Sequence, residues 1–365
     1  MKIPRYAYLQ PGAPTTQAKL LFSDATVLLP KFDRPVSVVE NFKRAARRDN
    51  PYWVPNALTD MQTFNPTDLL YSTALVSGNA ENTRFVDWFG ADWTYVVSAG
   101  GPMLTPGAPQ IIEDITRWEN SVKFPDLKNW DFAPQAREFM NGEYDLERAL
   151  CTDIGIGCTE RLVSLMGGYT ETMIAFATEP EACADFFERF IDFEIEHFDR
   201  LLEHYPISMI TYHDDWGNEK DTFFSPQMLE DMIYAPTKRF FDHVKSRDTV
   251  VELHSCGNIN RFIPYMIKMG VDFMQIQRRV VDFPAVKEKF GGQIGLCGGI
   301  EGLDFTSPTP PEEELLQMIR HTIDALGSGG GLYLGMWMTE PEALWRGTNE
   351  IYAYSSEKYA RERGA

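Results

Sequence analysis

A histidine and a cysteine stand where a predicted buried strand ends. The stretch VVELHSCGNI, residues 250–259, begins with apolar residues and then presents His254, Cys256 and Gly257. Packing gives no reason for this change, whereas the carboxyl ends of strands in α/β proteins are where ligands bind. Three interpretations follow, which are a metal site, a thiol nucleophile and a cysteine that is only packed.

Polar side chains also follow the neighbouring predicted strands. They are His213, Asp214, Asp215, Gln275, Gln277 and Cys297. The carboxyl ends of strands in a parallel barrel share one rim, so these side chains are expected to lie near His254 and Cys256. Two thiolates, an imidazole and a carboxylate are the ligand types of a catalytic zinc site, which uses three protein ligands and leaves one position open. The sequence therefore predicts zinc at this rim.

The elements that position these residues are strands alternating with helices from about residue 145 onward. PISMITYHDDWG, TVVELHSCG, VDFMQIQ, QIGLCGG and GGLYLGMW are predicted strands, separated by helical stretches. This repeat predicts an α/β fold, a (β/α)8 TIM barrel, with an open doubly wound sheet as the alternative. Residues 1–35 are predicted to form an N-terminal extension or arm, and residues 36–365 the barrel domain.

Two shorter regions precede the repeat. Ser37 is a predicted helix cap with Glu40 three residues later, and Asn50-Pro51 ends that helix. Residues 85–135 are rich in tryptophan and proline, and are predicted to form short strands and long loops near a cleft.

Composition restricts the class of partner. The chain has 365 residues, 44% of them hydrophobic, and a formal net charge of -19. Such a negative charge argues against nucleic-acid binding, which needs a positive field. There is no run of about 18 apolar residues, as a membrane span would require. The five cysteines are spread along the chain without a secretory leader, so a cytoplasmic location is expected, and Cys151, Cys158 and Cys183 are assigned to packing.

Several motifs in order resemble the uroporphyrinogen decarboxylase superfamily. They are HSCG after an apolar strand, DDWG one unit earlier followed by SPQM, Gly270-Val271-Asp272 before a strand ending in glutamine, and GLCGGI before a Thr-Pro-rich helix start. DNPYWVPN and RWENSVKFPDLKNWDF extend the resemblance over most of the chain from about residue 36.

The resemblance implies one of two branches. The decarboxylases hold an acidic porphyrinogen with a glycine- and arginine-rich amino-terminal motif, which this sequence lacks. The corrinoid-dependent methyltransferases bind zinc through a His-x-Cys pair and a distant cysteine, and His254 and Cys256 match that pair. Thiol-methylating members carry the distant cysteine after the last strand, where this chain has Met336 and Trp337, so Cys297 is expected to take its place.

In the O-demethylase branch the zinc ligands resemble an acidic residue and two cysteines. The resemblance then implies Asp214, His254, Cys256 and Cys297 at the metal, with Asp214 and His254 in the catalytic role. Because neighbouring residues of an extended segment point to opposite sides, only one of Asp214 and Asp215 can face the barrel axis, and the resemblance favours Asp214. The predicted substrate-binding residues are Tyr212, His213, Trp216, Gln277, Met336 and Trp337.

The function that the resemblance implies is zinc-dependent methyl transfer from a small methyl ether, with an aromatic ether favoured, to cobalt(I). The sequence has no Asp-x-His-x-x-Gly cobalamin motif, so the corrinoid is expected on a partner protein. The alternatives are uroporphyrinogen decarboxylase, a thiol-methylating corrinoid methyltransferase and a metal-binding barrel without catalysis. A homodimer is left open.

Overall fold

The computed structural model describes residues 14–19, 26–66, 83–96, 101–301, 305 and 310–364. Residues 1–13 and 20–25 of the predicted arm therefore lie outside the described part. The strands are β1 (Thr15–Lys19), β2 (Thr26–Pro30), β3 (Met61–Thr63), β4 (Arg84–Val86), β5 (Asp92–Val96), β6 (Gly101–Leu104), β7 (Ala149–Ile154), β8 (Ile207–His213), β9 (Val250–Ser255), β10 (Phe273–Ile276), β11 (Gly295–Glu301) and β12 (Leu332–Trp337).

The helices lie mostly between the strands of the second half of the chain. They are α1 (Val38–Arg47), α2 (Ala133–Gly142), α3 (Cys158–Leu165), α4 (Tyr169–Thr178), α5 (Pro180–Leu202), α6 (Pro226–Met228), α7 (Tyr234–Ser246), α8 (Ile263–Met269), α9 (Phe283–Phe290), α10 (Glu312–Leu326) and α11 (Pro341–Glu362). Short 3-10 helices span Ile115–Asn120, Leu127–Asn129 and Asn260–Phe262, and a π-helical turn, Leu229–Ile233, joins α6 to α7.

A seven-stranded parallel sheet forms the centre of the described chain. Its strand order is β12-β11-β10-β9-β8-β7-β3, so consecutive strands are neighbours. A parallel bridge between Asn56 and Leu334 connects the last strand to the segment just before β3. The sheet thus curls back towards its own first strand, and the predicted α/β barrel is confirmed.

Alternation along the strands separates two apolar clusters. Met209, Val250, Phe273 and Tyr333 belong to a cluster inside the barrel. Ile210, Val251, Met274 and Leu334, one position further along each strand, belong to the larger cluster between the sheet and the helices. Successive side chains of a strand point to opposite faces, so each strand has an inner and an outer set of positions.

The outer cluster is built largely from helix side chains with helical spacing. Phe186, Phe187 and Phe190 of α5 are fully buried, and the ring of Phe198 packs edge to face on that of Phe240 in α7 at 6.3 Å. Aromatic side chains contribute the largest apolar area per residue, so these contacts hold the helices against the sheet. The first helix begins as predicted, because the Ser37 hydroxyl accepts a hydrogen bond from the Glu40 amide.

Strands β4, β5 and β6 form a separate antiparallel sheet. A fully buried ion pair joins it to the barrel, since the guanidinium of Arg161 in α3 lies 2.5 Å from Asp87. The Trp93 indole donates to the same carboxylate, and the Arg161 guanidinium also covers the Phe89 ring at 4.3 Å. A buried charge is tolerated when it is paired and hydrogen-bonded in this way.

The predicted arm contains a hairpin of β1 and β2 that packs on the barrel. Val27 and Leu29 are buried in the outer cluster, and the Tyr352 hydroxyl of α11 donates to the carbonyl of Asp33. The folded structure therefore starts ahead of residue 36. The apolar alternation in β1 and β2 covers too few residues to distinguish a strand from a loop in the sequence alone. Among the described residues, no helix has both the length and the apolar character needed to cross a membrane.

Candidate metal centre

Three potential metal ligands lie at the carboxyl ends of β8 and β9. The His254 Nε2 atom is 3.6 Å from the Cys256 sulfur and 3.7 Å from an Asp215 oxygen. One ligand atom from each residue lies within 4.8 Å of the other two, and this is the only such triad found among the described residues. The side chains of His254 and Asp215 are 24% and 28% exposed, so the site opens to solvent.

These separations suit a small tetrahedral ion. With Zn–S bonds of about 2.3 Å and Zn–N bonds of about 2.0–2.1 Å, tetrahedral angles place sulfur and nitrogen about 3.6 Å apart. The Cys256 amide donates to the Asp215 carboxylate at 2.7 Å, which holds the loop after β8 against the loop after β9. The residues present therefore fit zinc, with one coordination position left for another molecule.

His254 and Cys256 differ in their protonation states in the absence of metal. Burial, together with the charge of His213, lowers the pKa of His254 to about 4, so its imidazole is neutral at pH 7. Burial and the Asp215 charge raise the pKa of the Cys256 thiol to about 12. A neutral imidazole can bind a metal directly, whereas the thiol must first lose its proton.

Asp214 points to the opposite side of the strand from the predicted metal position. Its carboxylate is fully buried and accepts hydrogen bonds from the Thr159 hydroxyl, the Glu160 amide at 2.9 Å and the Trp216 indole at 2.9 Å. Burial raises its pKa to about 6, although these hydrogen bonds oppose the shift. The oxygens of Asp214 thus hold the start of α3, and we assign the acidic position of the candidate site to Asp215 instead.

Cys297 is the third residue of β11 and is more buried than His254 and Cys256. It is 4% exposed, belongs to the inner apolar cluster and is not a member of the triad. Burial, followed by the negative charge of Glu252, raises its pKa well above the ordinary thiol value. Because its sulfur does not group with the ligand atoms of Asp215, His254 and Cys256, we place Cys297 outside the candidate metal centre, contrary to the expectation from the sequence.

Three of the predicted substrate residues, Tyr212 in β8, Trp216 after β8 and Met336 in β12, lie on the outer side of the barrel. Tyr212 and Trp216 are fully buried, and the Tyr212 hydroxyl accepts from the Cys158 amide at 2.7 Å. Met336 is also buried, and a Cβ added to Gly347 of α11 would lie 2.3 Å from its terminal carbon. All three contact helices rather than the barrel interior, so we leave them out of the proposed substrate surface.

The other three predicted substrate residues lie on the inner face. The His213 ring is 4.8 Å from the His254 ring, and the Gln277 carbonyl oxygen accepts from the Gly257 amide at 3.2 Å. The Trp337 indole lies against β11, because a Cβ added to Gly299 would be 2.1 Å from the ring. Glycine at position 299 leaves the space that the indole occupies at the barrel mouth.

Three acidic residues near the triad, Asp153, Glu160 and Glu252, were not among the predicted site residues. Burial disfavours the charged form of His213, but the hydrogen bond and charge of Asp153, 3.5 Å away, outweigh burial and raise the pKa of His213. Glu252 is fully buried, and burial raises its pKa to about 7. Burial and the charges of Asp215 and Asp214 raise the pKa of Glu160 well above its usual value. Period-two alternation from His213 and His254 would have identified Asp215 and Glu252 as inner positions, whereas Asp153 lies on β7, which was not among the predicted strands.

The family of the chain follows from a comparison with protein-family sequence models. The model of the uroporphyrinogen decarboxylase (URO-D) family matches residues 88–348, well over half of the 365 residues. The chain belongs to the URO-D family. The match includes the candidate site and β7 through β12, so the URO-D resemblance of the motifs is confirmed at the family level.

A solved structure has the same fold as this URO-D family chain. It is a methyltransferase from Methanosarcina mazei, with a TM-score of 0.61 and 13% sequence identity, and the alignment covers 88% of this chain and 99% of that chain. At this identity the similarity concerns the fold. A comparison with curated proteins finds no match.

Proposed function

We propose that this URO-D family chain is a zinc-dependent methyltransferase of an O-demethylase system. In this proposal it transfers a methyl group from a small methyl ether, with an aromatic ether favoured, to the cobalt(I) corrinoid of a separate protein. Zinc, the corrinoid, the partner and a cytoplasmic location are all parts of the proposal, and a homodimer is left open.

The triad of Asp215, His254 and Cys256 carries the proposal. It combines oxygen, nitrogen and sulfur ligands within 4.8 Å at the solvent-facing end of the barrel. Three protein ligands with an open fourth position are typical of catalytic rather than structural zinc. The fold shared with a methyltransferase supports the same assignment.

The reaction uses the open position and the surrounding surface. Bound zinc would supply Lewis acidity to the ether oxygen, which lowers the cost of its departure as an alkoxide or phenoxide. His254 and Cys256 hold the metal position, and Asp215 completes the ligand set with a negative charge. Trp337 provides an apolar face for the substrate, while His213 and Gln277 provide polar groups at the mouth.

A second candidate is the porphyrinogen decarboxylation for which the matched family is named. Its substrate carries many carboxylates, and the inner face of this barrel end has carboxyl groups of its own, from Asp153, Asp215 and Glu252. Like charges in a partly buried site repel, so such a substrate would need compensating cations. This argument favours the methyltransferase.

The experiment combines metal analysis with a spectroscopic assay. The purified protein is analysed for zinc and then mixed with a corrinoid protein reduced to cobalt(I) and a panel of aromatic and aliphatic methyl ethers. We expect about one zinc per chain, as the single triad predicts, and conversion of the cobalt(I) spectrum to that of methyl-cobalt(III). The second product should be the demethylated alcohol or phenol.

Control reactions distinguish the proposed function from its alternatives. Omission of the ether should leave cobalt(I) unchanged, and Cys256→Ala should remove both zinc and turnover. Formation of coproporphyrinogen from uroporphyrinogen without metal would establish the decarboxylase instead. Methylation of a thiol by methyl-cobalt(III), without ether cleavage, would establish a thiol-methylating enzyme. Zinc binding with none of these reactions would leave a non-catalytic metal-binding barrel.

A further inference from the structure

A chain of hydrogen bonds runs from the barrel interior to His254. The His254 Nδ1 atom is 2.7 Å from the Gln275 carbonyl oxygen, and the Gln275 amide nitrogen is 3.0 Å from Glu252. The three residues come from β9 and β10, where Gln275 pairs directly with His254. We call this chain the relay.

Glu252 is held by two further side chains. The Thr211 hydroxyl donates to the Glu252 oxygen that also faces Gln275, at 3.1 Å, and the Tyr333 hydroxyl lies 2.5 Å from the other oxygen. Glu252 is fully buried, so its orientation is set by these contacts rather than by water. Buried polar groups that are satisfied on every side have a single preferred arrangement.

The donors and acceptors of the relay can be assigned in only one way. The Glu252 oxygen near Gln275 acts as an acceptor for Thr211, whether or not the oxygen facing Tyr333 carries a proton. The Gln275 group nearest to it must therefore be the NH₂, which directs the Gln275 carbonyl oxygen at His254. A carbonyl oxygen 2.7 Å from a ring nitrogen requires a proton on that nitrogen.

We infer that Gln275, oriented by Glu252, is a positioning residue that fixes His254 as the Nδ1–H tautomer and so leaves the Nε2 lone pair free to bind metal. Nε2 is the atom that faces the Cys256 sulfur and Asp215. In the opposite tautomer a hydrogen would occupy that direction. The inference rests on the proposed metal site for its consequence, while the tautomer itself belongs to the metal-free protein.

The first measurement is made without metal. Ring ¹⁵N shifts of the six histidines are recorded by NMR, and the His254 signals are assigned by their loss in His254→Gln. We expect Nδ1 of His254 to be protonated and Nε2 to be unprotonated at pH 7. In Gln275→Met, which has nearly the same length but no carbonyl oxygen, both tautomers should be populated. A parent protein with the proton on Nε2 would overturn the inference.

The second measurement is zinc affinity by competition with a chromophoric chelator. Loss of a hydrogen-bond partner of a ligating histidine typically weakens metal binding about 10–100-fold, and we expect an effect of this order in Gln275→Met. Gln62→Met is the matched control, because Gln62 lies on the distant β3 and bonds the backbone of Glu143 and Asp145. It should leave both the tautomer and the affinity unchanged.

A double variant tests the relay by exchanging the side chains of Glu252 and Gln275. In Glu252→Gln/Gln275→Glu the amide and the carboxylate change places. The carboxylate at position 275 again presents an acceptor to His254, and the amide at position 252 donates its NH₂ to that carboxylate. We expect the Nδ1–H tautomer and most of the lost affinity to return. Circular dichroism verifies that each variant is folded.

The outcomes separate this inference from the proposed function. If the parent protein binds no zinc while His254 is the Nδ1–H tautomer, the metal site fails and the tautomer assignment remains. If zinc binds and Gln275→Met changes neither the ring shifts nor the affinity, the role of Gln275 is wrong and the metal site remains. A folded double variant that keeps a mixed tautomer would also contradict the relay.

Discussion

Asp214 and Asp215 are adjacent in sequence, but their carboxylates lie on opposite sides of the barrel wall. Asp214 accepts hydrogen bonds from Thr159, Glu160 and Trp216, whereas Asp215 lies beside His254 and Cys256. One carboxylate thus joins the strand to α3, and the other is available to a metal at the mouth. Variants at the two positions should fail in different ways.

Asp214→Asn should lose stability, because an amide cannot accept all the hydrogen bonds that the carboxylate receives. Each buried donor left without an acceptor costs about 1–3 kcal/mol in the free energy of unfolding. Asp215→Asn should change the free energy of unfolding by less than about 1 kcal/mol, since a partly exposed position tolerates this change. It should nevertheless bind zinc more weakly. Urea unfolding and zinc titration measure the two effects. A stable Asp214→Asn that has lost zinc would return Asp214 to the site.

Cys256 and Cys297 should also differ. Cys256→Ala is expected to abolish zinc binding, because it removes the sulfur ligand of the triad. Cys297→Ala should retain its zinc and lose stability by about 1 kcal/mol, as expected for a small buried side chain. Cys183→Ala, buried in α5, serves as a control. Elemental analysis of the three variants gives the answer, and a zinc-free Cys297→Ala would show that the interior thiol moves to the metal.

Zinc binding should release one proton per ion between about pH 6 and 9, because the thiol ligand must lose its proton. The thiol of Cys256, with its pKa raised to about 12, is protonated over this range in the metal-free protein and becomes a thiolate when zinc binds. His254, with its pKa lowered to about 4, is already neutral and releases none. Affinity should therefore rise about tenfold per pH unit. Calorimetry in buffers of different ionisation enthalpy counts the proton, and a count of zero would contradict the thiolate assignment.

Gly299→Ala should displace the Trp337 indole, since the added Cβ would lie 2.1 Å from the ring. Overpacking of this kind typically costs about 1–3 kcal/mol of stability, and turnover of the ether should fall with it. Removal of the ring in Gly299→Ala/Trp337→Leu should recover stability relative to the single variant. Gly292→Ala is the control, because a Cβ there has no neighbour within 4 Å. Equal stability of Gly299→Ala and Gly292→Ala would mean that Trp337 moves away freely.

Much of the barrel could be predicted from the sequence, because each strand is a short apolar run that ends in polar residues. The strands at 207–213, 250–255 and 332–337 lie where PISMITYHDDWG, TVVELHSCG and GGLYLGMW predicted them. The hairpin of β1 and β2 was not predicted as strands, because its burial depends on contacts with α11 at the far end of the chain. The nearby hydrogen bond between Tyr352 and Asp33 spans 319 positions. Local patterns do not contain such long-range contacts.

The ligand pair was easier to predict than its companions. His254 and Cys256 are two residues apart at the end of β9, so they share a face in any register. The choice between Asp214 and Asp215 depended on the phase of β8, which the pairing of His213 with His254 determines. Cys297 was assigned to the rim because its strand was predicted to end with QIGLCGG, whereas β11 continues to Glu301. The extension of β11 depends on its pairing with β12 up to Glu301 and Trp337, which the local sequence does not specify.

Gly257 has a left-handed backbone with φ of +86°, and a Cβ on it would lie 2.3 Å from the carbonyl carbon of Gly217. The Asn258 amide donates to the Asn218 carbonyl at 2.7 Å. The loop that follows Asp215 is thereby held by the loop that follows Cys256, backbone against backbone. A metal ion would therefore enter and leave a preformed site without movement of either loop. Its rate of dissociation would be set by ligand exchange at the ion alone. Replacement of zinc by cobalt or cadmium would leave the conformation of both loops unchanged, so these ions would be suitable spectroscopic probes of the centre.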